Sequence, residues 1–240
     1  MNKPMPKTMT LDTPQQVAEQ FASDFASWVN ASTDDFHVAL SGGSTPKLLF
    51  QLWASDTGPE TDWNKVQFYW GDERCVPPDD PDSNYGVANE LFFKPAGIDE
   101  KRIHRVLGEN DPENEAVRYS QLLTKQLKSA EDKPVFDLVI LGMGGDGHTA
   151  SIFPNQMSLM DDRRVCGVAT HPESGQKRVT INGPMISSAQ KIAFLITGSS
   201  KTEKYNGIVN QTNESQTWPA TRFFHAENTI VYLDFAAAGQ

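Results

Sequence analysis

The chain has 240 residues, 38% of them hydrophobic and 22% charged, with a formal net charge of −10. That length and composition fit a folded domain with a substantial core. The acidic balance excludes a nucleic acid or an anionic membrane surface as partner, because both need an electropositive face.

Two cysteines, Cys75 and Cys166, are too few and too distant for a disulfide framework or a zinc module. No apolar run approaches the roughly 20 residues of a membrane span. The first ten residues lack the apolar stretch of a signal peptide. The expectation is a cytoplasmic protein with a flexible N-terminus over residues 1–10 and a single domain over 11–240.

Thr13-Pro14 reads as an N-cap followed by proline at the first helical position. After it, Val17, Phe21, Phe25, Trp28 and Val29 recur at helical spacing. Residues 36–41 form a short buried strand that runs into Gly42-Gly43-Ser44-Thr45, and Pro46 opens a helix over 47–54. A strand over 65–70 ends in Gly71-Asp72-Glu73-Arg74. Residues 75–83, with three prolines and three aspartates, form a loop before a helix over 84–93. Asp111-Pro112 caps a helix reaching about residue 129, with Val117, Leu122, Leu123 and Leu127 inward. A strand over 135–141 precedes Gly142-Met143-Gly144-Gly145-Asp146-Gly147-His148. Further strands fall at 165–170, 177–181, 192–197 and 229–233, and Gly198-Ser199-Ser200-Lys201 leads from the third of these into a helix.

This alternation predicts an α/β domain whose mostly parallel sheet is covered by helices on both faces. Ligands of such sheets bind beyond the carboxyl ends of the strands. Four polar segments fall there: 41–45, 71–74, 142–148 and 198–201.

Residues 41–45 offer glycine backbone and three hydroxyls at a helix start, which suits a phosphate or carboxylate. The bland reading is a tight turn with a capping hydroxyl. Without a G-K-[ST] ending it is no Walker loop, and Asp146 would repel the pyrophosphate that a G-x-G-x-x-G reading of 142–147 requires. Asp146-Gly147-His148 instead sets a carboxylate beside an imidazole, so His148 suits a general base that Asp146 orients or charges. The other histidines, His37, His104, His171 and His225, read as surface or capping residues. Asp72-Glu73-Arg74 is either a solvated charge cluster or a strand end presenting the Arg74 fork to an anion. Arg178 and Lys201 are further cations near strand ends. There is no G-x-S-x-G elbow, no H-E-x-x-H and no clustered His/Cys set, which removes serine-hydrolase chemistry and gives no support to metal-assisted hydrolysis.

Taken together, Leu40–Pro46, Trp70–Arg74 with Asp82–Tyr85, Gly142–Ser151, Arg178–Thr180, Thr197–Lys201 and Asp234–Ala237 resemble the 6-phosphogluconolactonases. These sit within a larger group of sugar-phosphate isomerases and deaminases. The resemblance spans nearly the whole chain. It implies a single α/β domain of the ribose-phosphate isomerase kind, no cofactor, and a role in the oxidative pentose phosphate pathway. It implies hydrolysis of 6-phospho-D-glucono-1,5-lactone to 6-phospho-D-gluconate, with that small lactone as partner and a monomer compatible with the task.

By the same resemblance, His148 activates water, Asp146 supports it, and Gly42, Gly43, Ser44, Thr45 and Lys201 hold the 6-phosphate. Arg74 and Arg178 bind phosphate or developing charge, with Asp72 in the binding set. Glucosamine-6-phosphate deaminases are similar at Ser41–Pro46, Asp72-Glu73 and Asp146–His148. They carry a carboxylate five residues after the histidine, where this chain has Phe153, and an aromatic residue where it has Arg74. A non-catalytic sugar-phosphate sensor is the third alternative, disfavoured by the acidic balance and the lack of a spare DNA-binding region. Asp79-Asp80, where a histidine is common, and Gly145, where proline is common, depart from the lactonase pattern only in loops.

Overall fold

The computed structural model describes residues 5–130 and 133–240. Its strands are β1 (Lys7–Leu11), β2 (Phe36–Leu40), β3 (Val66–Trp70), β4 (Asp72–Arg74), β5 (Lys128–Ala130), β6 (Lys133–Val135), β7 (Leu138–Leu141), β8 (Cys166–Thr170), β9 (Lys177–Ile181), β10 (Ile192–Ile196) and β11 (Thr229–Asp234). Its helices are α1 (Pro14–Ala31), α2 (Ser44–Trp53), α3 (Asn84–Ala88), α4 (Lys94–Ala96), α5 (Pro112–Gln126), α6 (Ser158–Asp161), α7 (Gly183–Ser187), α8 (Thr202–Val209), α9 (Pro219–Phe224) and α10 (Phe235–Ala238). No helix of the described residues is long and apolar enough to cross a membrane.

Six strands pair in the order β1-β11-β10-β7-β2-β3, every pair parallel. β2, β7 and β10 are buried at every position, as strands covered on both faces must be. α1 covers one face. Its Thr13 cap accepts the Gln16 N–H at 3.2 Å, and Val17, Phe21, Phe25 and Val29 are fully buried. Phe21 meets Tyr232 of β11 edge-on at 5.3 Å between ring centroids. Each such side chain contributes about 1.5–3 kcal/mol of burial. The α/β class and the parallel sheet read from the sequence are those of the structure.

Several expectations change. Residues 7–10 are not a flexible tail, because β1 pairs with β11 from Lys7↔Ile230 onward; residues 1–4 lie outside the described residues. α5 stops at Gln126, and Leu127 turns extended to start β5. Val117 is 59% exposed, while Glu115, Ala116, Tyr119 and Leu123 face inward. Glu115 is buried because its carboxylate accepts the Leu107 N–H at 2.7 Å and grips Arg118 at 2.6 Å, so an acidic residue occupies the inner stripe. The strand expected over 135–141 breaks at Phe136-Asp137, where Asp137 accepts the His37 N–H at 2.8 Å. His37 is buried rather than on the surface.

The largest change concerns β8 and β9, which leave the parallel sheet and form an antiparallel one, β4-β9-β8. The bend lies at Gly71. Its N–H donates to Leu40 of β2 at 2.8 Å, while its carbonyl accepts from Ile181 of β9 at 2.8 Å. One residue therefore closes the parallel ladder and opens the antiparallel one.

Candidate active site

Two glycine turns frame a crevice at the carboxyl ends of β2 and β7. In the first, Gly43 is the N-cap of α2 at φ +113°, a conformation glycine tolerates. A Cβ on Gly42 would lie 1.9 Å from Asn84 Oδ1, so the backbone there packs directly against the Asn84 carboxamide. In the second, the Gly144 N–H donates to the His148 carbonyl at 2.9 Å and Thr149 Oγ1 donates to the Gly142 carbonyl at 2.8 Å. A Cβ on Gly144 would lie 2.2 Å from His148 Nδ1. Only glycine lets the imidazole fold back over this turn.

That fold-back brings His148 Nδ1 to 2.6 Å from Asp146 Oδ1, which also accepts the His148 backbone N–H at 3.1 Å. Burial alone would raise the Asp146 carboxyl; the hydrogen bonds from His148 and its ring charge outweigh this and hold it at about 2. A carboxylate at Nδ1 selects the tautomer with its proton there, which leaves Nε2 with a lone pair. The fully buried Phe153 ring lies 4.7 Å from the imidazole and closes one side.

Cations gather in the same cavity. On the β4–β9 ladder Arg74 pairs directly with Arg178, a like-charge juxtaposition that costs stability unless an anion lies between. The Arg178 pKa is lowered by burial; Asp72 opposes this and Arg74 adds to it. The Nε atoms of both arginines are buried and have no hydrogen-bond partner among the described residues. Arg74 Nη1 donates to the Asp82 carbonyl, which steadies its guanidinium. Lys201 ends a short 3-10 turn after Gly198, whose N–H donates to the Asp234 carboxylate at 3.0 Å. Buried Asp234 also caps α10 through the Ala237 N–H at 2.8 Å.

A cavity of about 280 Å³ joins these parts. It is lined by Ser41, Gly42, Gly43, Asp72, Arg74, Asn84, Gly142–Gly145, His148, Ala150, Arg178 and Lys201. The imidazole and the glycine turn, more than a hundred positions apart, thus open onto one crevice, which Arg74, Arg178 and Lys201 also line.

Other sequence-predicted residues sit differently. Thr45 is buried with its hydroxyl 2.6 Å from Thr197 Oγ1, so it ties the start of α2 to the end of β10 rather than lining the cavity. Ser44 lines an adjoining cavity of about 230 Å³ that shares Gly42, Gly43 and Arg74. Asp146 supports the imidazole from behind and is not among the lining residues.

The sequence reading left Glu73, Asn84 and Ser151 without roles. Glu73 is buried and accepts the Arg74, Asn84 and Tyr85 N–H groups and the Ser83 hydroxyl, pinning the 82–85 turn to β4. Burial, opposed by these bonds, raises its pKa. The Asp82-Ser83-Asn84-Tyr85 segment, one of those that carry the family resemblance, was the available signal. A larger cavity, about 640 Å³, lies by Trp63, Asp99 and Arg102 ahead of β3, with no histidine among its lining residues.

A cavity at the carboxyl ends of a parallel sheet, lined by a carboxylate-backed imidazole and by clustered cations, has the position and the groups of an enzyme active site. The family model for glucosamine-6-phosphate isomerases/6-phosphogluconolactonase matches residues 12–232. The chain belongs to that family. It is 40% identical over 232 residues to the 6-phosphogluconolactonase of Haemophilus influenzae, covering 95% of this chain and 97% of that protein. It superimposes on the crystal structure of devB protein with a TM-score of 0.92 at 40% identity, covering 98% and 99% of the two chains. The 6-phosphogluconolactonase of Trypanosoma brucei gives a TM-score of 0.84 at 28% identity, with 99% of each chain covered.

Proposed function

We propose that the chain is a carboxylic-ester hydrolase that opens 6-phospho-D-glucono-1,5-lactone to 6-phospho-D-gluconate, in the oxidative branch of the pentose phosphate pathway. The observation that supports this most is the shared cavity of His148, the Gly42-Gly43 turn, Arg74, Arg178 and Lys201.

His148 is the general base. Nε2 takes a proton from a water as that water attacks C1, while Asp146 stabilises the imidazolium through Nδ1. The tetrahedral oxyanion is met by a guanidinium of the Arg74–Arg178 pair. The ring oxygen then leaves, and His148 returns the proton to it. The scheme uses water and the chain's own side chains.

The 6-phosphate rests on the backbone of Gly42, Gly43 and Ser44 at the start of α2, where helix N–H groups favour an anion. Lys201 lies over it. Held at that end, the ring presents C1 to His148, and positioning lowers the barrier. Asp72 sits beside the arginines and keeps the site from becoming uniformly cationic.

Deaminase chemistry is the second reading. It fits less well because Phe153, fully buried against the His148 ring, has no proton to relay.

The test supplies freshly made lactone to purified protein and follows acid release, with glucosamine 6-phosphate and ammonium release as the parallel arm. Lactone-dependent acid release without ammonium is expected. Ammonium release, or tight binding of 6-phosphogluconate with no turnover, would replace this reading by the deaminase or by a sensor.

A further inference from the structure

The turn after His148 carries an anomaly. Ala150 lies at φ +47°, the left-handed region that strains any residue with a Cβ. It delivers the next residue, Ser151, into a fully buried position against the side chains of the β4–β9 ladder. There the Ser151 N–H donates to Thr180 Oγ1 at 3.3 Å. Its hydroxyl donates to Asp72 Oδ2 at 2.5 Å and accepts from Arg178 Nη1 at 3.5 Å.

Asp72 stands opposite Thr180, diagonal to Arg178 on the antiparallel ladder, within reach of a long side chain. The two charges feel each other, since Asp72 raises the Arg178 pKa against its burial. Yet Arg178 forms no ion pair with any carboxylate among the described residues, although Asp72 and Arg178 line one cavity. The hydroxyl of Ser151 occupies the gap between them.

We infer that Ser151 is a positioning residue: its hydroxyl, wedged between Asp72 and Arg178, stops that carboxylate from closing on the guanidinium and leaves the Arg178 N–H groups for the bound anion. The inference rests on the reading of this cavity as a sugar-phosphate site and deepens it. A direct Asp72–Arg178 pair would be a buried bidentate contact, and substrate would have to break it before binding. The strained Ala150 turn is then the structural means of placing the wedge.

The measurement is a double-mutant cycle on the full chain, Ser151→Ala with Asp72→Asn. It reads KM and kcat for the lactone, and the Kd of 6-phosphogluconate by calorimetry. Ser151→Ala is expected to raise KM and Kd about tenfold, as loss of a charged hydrogen bond does, with kcat within about twofold. In the Asp72→Asn background, where no ion pair can form, the same substitution is expected to change both by less than about twofold.

An unchanged Kd in Ser151→Ala, or an equal rise in both backgrounds, would overturn the inference and leave Ser151 as plain packing. If Ser151→Ala does not fold, Ser151→Cys, which still fills the gap with a weaker donor, is expected to keep the Kd within about twofold, and a tenfold rise there would overturn the inference. A wild-type chain that neither turns over lactone nor binds 6-phosphogluconate would instead overturn the reading of the site, so the two failures are distinct.

Discussion

The two ends of the parallel sheet both carry histidines, and they treat them in opposite ways. At the amino end, His37 Nδ1 lies 3.1 Å from the Tyr69 hydroxyl, and His104 stacks on the Tyr69 ring at 4.6 Å. Burial lowers the pKa of both, with His37 further lowering His104, so these rings pack as neutral aromatics. At the carboxyl end, His148 has a carboxylate at Nδ1 and a cavity in front of it. An imidazole becomes a base when one nitrogen is fixed by a carboxylate and the other faces a space that admits substrate. It becomes core when both faces are covered.

Removing each imidazole is the strongest way to break this comparison. His148→Ala is expected to lower kcat by roughly 10²–10⁴-fold and to leave the thermal midpoint within a few degrees, checked by lactone hydrolysis and a melting curve. A variant with full activity would remove His148 from the mechanism. The next effect concerns the turn. In Gly144→Ala the new methyl group would displace the ring from 2.2 Å away, and a shift of about 1 Å in a catalytic group costs on the order of 10²-fold. Steady-state kinetics should show that loss mostly in kcat.

How much of this was legible follows from the same residues. Helix α1, strand β2 and the four polar strand ends stood out because apolar period and glycine position are local signals. β1 did not, because an edge strand reading Lys-Thr-Met-Thr-Leu carries only two apolar residues and buries none fully, and its order comes from β11. The antiparallel sheet was hidden for a related reason: the direction of β8 and β9 is set by one bend at Gly71, not by their own composition. Arg74, Arg178, Lys201 and His148 were legible as candidates. That Thr45 faces Thr197 and that Ser151 separates Asp72 from Arg178 depends on contacts across 152, 79 and 27 positions, beyond any sequence window.

A smaller effect separates binding from chemistry. Arg178→Lys keeps the charge but loses the planar fork, so KM for the lactone should rise about tenfold with kcat less affected, read from the same assay.

The smallest effect sharpens the contrast through pH. A buried histidine with a lowered pKa leaves the unfolded chain binding more protons, so stability is full above the ordinary value of 6.5 and falls as pH drops below it. Each such group adds a slope of at most about 1.4 kcal/mol per pH unit. His104→Gln should therefore flatten the decline in thermal midpoint below pH 6.5. Asp146 acts in a separate window, its contribution present above 3.8 and lost as pH falls towards about 2. An unchanged slope in His104→Gln would show that the amino-end pair does not resist protonation.

The most direct measurement is a crystal structure with 6-phosphogluconate soaked into the carboxyl-end cavity. The account predicts the phosphate on the backbone of Gly42, Gly43 and Ser44 beside Lys201, and the C1 carboxylate within hydrogen-bond reach of His148 Nε2. A product molecule bound the other way round, or bound elsewhere with this cavity empty, would contradict it.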